Sequence, residues 1–66
     1  MFNTKEELVV HYEKLAEGQG LLFDSLAYED PEKNTNSGYA FAFDVHNDCS
    51  FPIGEFAFRD GVYYAL

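Results

Sequence analysis

The most constraining feature of the sequence is a repeated strand pattern, YAFAFD at residues 39–44 and EFAFRD at residues 55–60. Each copy places a single alanine between two phenylalanines, an alternation with a period of two that is typical of a half-buried strand. Asp60-Gly61 is a strong signal for a two-residue hairpin turn, which would pair Arg59 with Val62. The pattern therefore predicts an antiparallel meander of three strands at the end of the chain.

Alternation also predicts which side chains share a face of this sheet. We expect the bulky rings to form the buried side, namely Phe41, Phe43, Phe56, Phe58 and Tyr63. The other face would then be flat and acidic, with Ala40, Ala42, Asp44, Glu55, Ala57 and Tyr64.

The first part of the chain predicts a helix followed by a strand. Residues 4–17 carry an apolar stripe at helical spacing, a Thr4 to Glu7 capping box at the start and Gly18 at the end. Residues 21–28 (LLFDSLAY) predict a first strand, and the polar residues 29–38 predict an exposed loop. Residues 47–50 (NDCS) predict a turn, and Pro52 with Gly54 predicts an edge position or a bulge near the start of the returning strand.

Together these elements predict a single α+β domain covering residues 1–66, with one N-terminal helix packed on a three- or four-stranded antiparallel sheet. The length is near the lower limit for folding without disulfides or metal. The composition favours folding, because 47% of the residues are hydrophobic and 18% are aromatic.

Charge limits the classes of partner. Twelve Asp and Glu against four Lys and Arg give a net charge of −8. Direct binding to nucleic acid or to an anionic membrane is therefore not expected. The single cysteine, Cys49, and the lack of an apolar run of membrane-spanning length predict a cytoplasmic protein with no membrane association.

No residue group has the pattern of a catalytic, cofactor or metal site. His46, Asp48 and Cys49 are close in sequence, but no second cysteine is available for a zinc site. The loop alternation of Asp30, Glu32, Asn34 and Asn36 lacks the glycine and the final acid of a calcium loop. We therefore expect a protein that is not an enzyme and that uses no cofactor and no metal.

The acidic residues instead indicate a protein-binding surface that imitates DNA. Carboxylates gathered on one rigid patch would meet a groove lined with Lys and Arg as a group. Tyrosines would add anchors, since Tyr is favoured at interface hot spots. The candidate binding residues are Asp24, Tyr28, Glu29, Asp30, Glu32, Asp44, Glu55 and Tyr64, and a second candidate patch on the helix contains Glu6, Glu13 and Glu17.

In size, charge and aromatic content the chain resembles small phage-encoded inhibitors, with YAFAFD, EFAFRD and YEDPE (residues 28–32) as its most individual stretches. It is most similar in character to anti-CRISPR proteins that act on type I Cascade complexes. The resemblance implies an inhibitor, located in the host cytoplasm, that blocks target-DNA binding by occupying the basic groove of the complex. A glycosylase or restriction-enzyme inhibitor remains an alternative, as does an interaction or dimerisation module that uses the flat Ala/Tyr face, and the oligomeric state stays open.

Overall fold

The computed structural model describes residues 1–28 and 36–66 and contains one helix and four strands. In chain order these are α1 (Lys5–Gly18), β1 (Leu22–Tyr28), β2 (Ser37–Asp44), β3 (Cys49–Arg59) and β4 (Val62–Ala65). The strands form one antiparallel sheet in the order β1-β2-β3-β4, with α1 packed on one side of it. The predicted α+β architecture is confirmed, in its four-stranded form.

The ends of α1 follow from local hydrogen bonding. Thr4 is the N-cap, and its Oγ1 accepts a hydrogen bond from the Glu7 backbone N–H at 3.1 Å. Glu7 reaches back to accept from the Asn3 N–H at 2.9 Å, one residue before the reciprocal donor of a standard capping box. At the other end, Gly20 has φ +75°, a conformation that glycine adopts without steric cost, and the chain turns there toward β1.

The hairpin formed by β3 and β4 has the predicted register. Asp60 and Gly61 both have positive φ, as a two-residue type I′ turn requires, and Arg59 pairs with Val62. The predicted bulge in β3 is also present, because Gly54 pairs with Ala40 and Pro52 with Phe41, leaving Ile53 unpaired between them. Pro52 also has an edge position, because β4 pairs only with residues 56–59 of β3 and, among the described strands, residues 49–54 have β2 alone as a neighbour.

The two outer edges of the sheet differ. On β4, Phe2 forms an isolated antiparallel bridge with Tyr63, with both N–H to O distances at 2.8 Å. On β1, the outer edge pairs with no strand of the described part of the chain. One edge is therefore closed at its centre and the other is open.

The core shows that one face assignment was wrong. Leu8 and Tyr12 of α1 pack on Ala40 and Phe56, and Ala40 and Ala42 are both 0% exposed. Side chains alternate along β2, so Phe41 and Phe43 point away from the helix, opposite to the expectation. In β3 and β4 the expected orientation is confirmed, because Phe56 is in the core and Tyr63 packs against it.

Small residues beneath the helix explain this orientation. Gly38, Ala40 and Ala42 form a low stripe along β2, and Gly54 of β3 lies next to it through its pairing with Ala40. The ring of Tyr12 lies directly on Gly54, where an added Cβ would be 2.7 Å from Tyr12 Cε1. With phenylalanines in place of these small residues, the helix would be held away from the sheet.

We expect Gly54→Ala to destabilise the protein by about 1–3 kcal/mol, because the added methyl group overlaps the buried Tyr12 ring. Gly18→Ala is the matched control, since a Cβ at Gly18 meets nothing within 4 Å. Urea unfolding monitored by circular dichroism measures both changes. Equal stabilities of the two variants would contradict this account of how the helix is seated.

The corrected faces predict different costs for two phenylalanines. Phe56→Ala empties a fully buried site and should cost about 3–5 kcal/mol in the free energy of unfolding. Phe41→Ala removes a half-buried ring from the face without the helix, so we expect less than about 1.5 kcal/mol. The same unfolding experiment decides between the two orientations of β2, because the order of the two costs would reverse if Phe41 were in the core.

Candidate protein-binding surface

The face of the sheet opposite α1 carries a row of aromatic side chains on β2. Tyr39, Phe41 and Phe43, here called the aromatic ridge, alternate with the buried alanines and therefore project from this face. At a rise of ~3.3 Å per residue, the ridge is ~13 Å long. On its β1 side, small residues lie opposite two of the rings, Ala27 opposite Tyr39 and Ser25 opposite Phe41, whereas Leu22 lies opposite Phe43. The ring of Tyr39 therefore stands above its β1 neighbour, and Tyr39 is 36% exposed.

Carboxylates flank the ridge on both sides. Glu55 of β3 is the register partner of Tyr39 and is exposed on the same face. Asp24 of β1 accepts a hydrogen bond from Ser50 Oγ at 3.0 Å, a contact that crosses β2. Ser50 is the register partner of Phe43, so the Asp24 carboxylate lies near that ring. Two of the predicted binding residues, Asp24 and Glu55, thus lie on one face.

The two tyrosines predicted for the site lie on opposite faces. Tyr28 is on the helix side, where its ring meets Phe56 edge-on at 5.7 Å between centroids. Burial, and then a hydrogen bond with Tyr28, raise the pKa of Tyr63. Tyr64 is on the ridge side, opposite Ala57, and lines a shallow cleft with Arg59. The structure therefore groups Tyr64, but not Tyr28, with Asp24 and Glu55.

Asp44 shapes the turn between β2 and β3. Its Oδ1 accepts from the His46 N–H at 3.0 Å and from the Asn47 N–H at 3.3 Å, and its Oδ2 accepts from Asn47 Nδ2 at 2.6 Å. The side-chain hydrogen bond from Asn47 holds the pKa of Asp44 below its ordinary value of 3.8, and the two backbone hydrogen bonds act in the same direction. The carboxylate is thus engaged within its own turn, at the end of β2.

Three predicted binding residues, Glu29, Asp30 and Glu32, lie outside the described residues. Asp30, Glu32 and Asn34 of the incomplete calcium-loop pattern also lie outside the described residues. Asn36, at its end, is exposed, and its carbonyl accepts a hydrogen bond from the Phe58 N–H at 2.6 Å.

The helix carries a second set of acids on the far side of the molecule. Glu6, Glu13 and Glu17 are exposed and lie on the side of α1 away from the buried Leu8 and Tyr12. At 1.5 Å per residue the set extends over about 16 Å of the helix. The helix acids and the ridge-face pair of Asp24 and Glu55 are therefore two separate sets on opposite faces, and Asp44 lies at the strand turn.

These carboxylates have no cationic partners within the described part of the chain. Residues 1–28 and 36–66 contain no ion pair among themselves and no buried charged residue. The same residues contain no group of three or more potential metal ligands. Cys49 is exposed at the start of β3, and His46 and Asp48 are exposed in the preceding turn. The exposed acidic side chains of these residues are consequently free of ion pairs with the described cations.

The alternation in YAFAFD does not by itself predict the aromatic ridge, because it fits a strand in either orientation. A signal was present in the small residues. Gly38, Ala40 and Ala42 share one face of β2, and a helix packs closest where side chains are small. The bulkiest face of a strand is therefore not always the buried one.

No protein-family model, curated protein or solved structure matches this chain. Within residues 1–28 and 36–66, no helix has the length and apolar character needed to cross a lipid bilayer.

The hydrogen bonds in this turn predict that Asp44 contributes to the stability of the folded protein in a pH-dependent way. Because its pKa is lowered in the folded state, its stabilising effect is present above pH 3.8 and is lost as the pH falls through the lower folded value. Asn47→Ala should raise the pKa of Asp44 toward 3.8, and His46→Ala should raise it less, because its backbone N–H remains as a donor. Carboxyl-carbon NMR titration measures each pKa, and an unchanged pKa in Asn47→Ala would refute the assignment.

Proposed function

We propose that this chain is a non-enzymatic inhibitor that occupies the basic DNA-binding groove of a nucleic-acid-handling protein. The target best matching the character of the sequence is a type I Cascade complex, which would make the chain an anti-CRISPR protein that blocks target-DNA binding. The supporting observation is the set of exposed carboxylates without cationic partners on a chain of net charge −8. A DNA-modifying glycosylase or a restriction enzyme has the same kind of groove and is the alternative target.

The charge must act collectively in this proposal. An exposed ion pair contributes only about 0.2–1 kcal/mol, so no single carboxylate can account for tight binding. Several carboxylates facing a cationic groove accelerate association, and they displace anions bound there as a DNA backbone does. Binding should therefore weaken steeply with salt.

Two surfaces are available for this contact. The ridge face offers Asp24 and Glu55 beside a row of rings on the same face of the sheet. The outer side of α1 offers Glu6, Glu13 and Glu17 on one rigid element. The ridge face combines charge with apolar area that can be removed from water, and we favour it as the contact surface.

The second candidate function is a protein-interaction or dimerisation module that uses the same sheet face. The form considered from the sequence needed a flat alanine surface, but Ala40 and Ala42 are buried beneath α1. The aromatic ridge is the apolar surface that supports this candidate, since covering the exposed part of the Tyr39 ring, which is 36% exposed, removes apolar area from water.

The experiment is capture followed by competition with DNA. The immobilised protein is incubated at low salt with a bacterial lysate containing a type I Cascade complex, and duplex DNA is then added to the captured material. We expect the captured protein to bind DNA by itself and to be released by the duplex. Affinity should fall by at least ~10-fold between about 50 and about 200 mM salt. A captured protein that the duplex does not release would contradict the proposal.

Three double variants locate the contact while changing the charge equally. Each neutralises two carboxylates, on the ridge face, on the helix or in the strand turns: D24N/E55Q, E13Q/E17Q and D48N/D60N. The turn variant is the control, because asparagine tolerates the positive φ of both positions. We expect D24N/E55Q to weaken binding by about 2- to 30-fold, as two exposed pairs allow, and D48N/D60N to have little effect. Equal losses in all three would indicate only nonspecific attraction.

A further inference from the structure

We infer that the ridge face recognises arginine side chains of its protein partner, each held between a ring of that face and a neighbouring carboxylate. This inference rests on the proposed function in one respect, that the partner is a basic protein. It adds the residues that make the contact and the type of cation that they select.

The principal position is the pair formed by Tyr39 and Glu55. The two residues are directly opposite each other on β2 and β3, so their Cβ atoms are about 4.5–5.5 Å apart and their side chains share one face. Ala27, on the other side of Tyr39, is too small to cover the ring. A cation placed over the ring of Tyr39 therefore has the Glu55 carboxylate within reach.

A second pair of the same kind lies at the other end of the ridge. Phe43 is half-buried, and the Asp24 carboxylate is held near it through the hydrogen bond between Asp24 Oδ2 and Ser50 Oγ. Asp24 Oδ1 accepts no hydrogen bond from the described residues, so it remains able to accept one from a partner. Two ring and carboxylate pairs thus lie on one face, at the two ends of the ~13 Å ridge.

These pairs favour arginine over lysine. A guanidinium group is planar, so it stacks on an aromatic face while its N–H groups donate to a carboxylate beside the ring. An ammonium group is a compact, strongly hydrated charge and gains less from the ring. Arginine is also common in grooves that hold phosphates, so the selectivity suits a partner of the proposed class.

Charge complementarity identifies the occupant as a basic protein and not a second copy of this chain. The charged residues described on the ridge face are Asp24, Glu55 and Arg59, and each copy has a net charge of −8. Two such faces would bring more carboxylates than cations together. A partner rich in arginine matches both the rings and the charges.

The test is an NMR titration of the ¹⁵N-labelled protein at low salt with two capped peptides of equal length, one containing alternating Gly and Arg and one containing alternating Gly and Lys. We expect the arginine peptide to shift the amide signals of Tyr39, Phe41 and Glu55 and to bind about threefold more tightly than the lysine peptide. Shifts confined to α1, or equal affinities for the two peptides, would overturn the inference.

Matched variants separate the contribution of the Tyr39 ring to peptide binding from that of the Glu55 charge. Tyr39→Leu and Glu55→Gln should each weaken binding of the arginine peptide by about 2- to 5-fold, whereas Tyr39→Phe keeps the aromatic face and should leave binding unchanged. Glu13→Gln removes the same charge from the opposite face and should have no effect. If Tyr39→Leu fails to fold, the comparison of the two peptides on the unmodified protein still decides the outcome. The titration involves no captured target, so it can succeed or fail independently of the competition with DNA.

Discussion

The structure depends on the contact between the Tyr12 ring and the backbone of Gly54. The ring occupies the space that a side chain at this position would need, and its hydroxyl donates to the Glu55 carbonyl at 3.0 Å. Burial and the nearby Glu55 charge raise the pKa of Tyr12, so the hydroxyl stays protonated and keeps this donor role. One side chain thereby fixes both the distance and the position of the helix on the sheet.

Seating the helix on small residues determines what the opposite face presents. The side chains of β2 alternate, so placing Ala40 and Ala42 beneath α1 requires Tyr39, Phe41 and Phe43 to project on the other side. The same orientation of β2 therefore both buries its alanines against the helix and exposes the aromatic ridge. A larger residue under the helix would disturb the core and the candidate binding surface together.

The sequence predicts this fold well where the signals are local. The Thr4 cap, the Asp60-Gly61 turn and the register of Arg59 with Val62 depend on neighbouring residues, and the structure contains each of them. The orientation of β2 depends on which face the helix approaches, a long-range property that alternation leaves undetermined. The grouping of Asp24 with Glu55 has the same origin, since both reach the ridge only through the pairing of β1 and β3 with β2.

Acidic composition is a weaker guide to a binding surface than the arrangement of the strands. Asp44 was chosen for its charge, but its oxygens serve the turn that joins β2 to β3. Tyr28 was chosen as an anchor, but its ring packs beside Phe56. Some acids and tyrosines thus stabilise the fold through local hydrogen bonds and packing. The remaining ones form the candidate binding surface.

The unequal edges of the sheet have a consequence for self-assembly. Phe2 occupies the centre of the β4 edge through its bridge with Tyr63, while the outer edge of β1 is unpaired within the described residues. A fibril grows by strand addition only if every copy offers two receptive edges. Residues 49–54 of β3 also lack a second strand neighbour among the described residues, but Pro52 has no N–H to donate and Ile53 is bulged, which disfavours strand addition there. Antiparallel addition through the β1 edge would end at a pair, so this architecture opposes open-ended polymerisation.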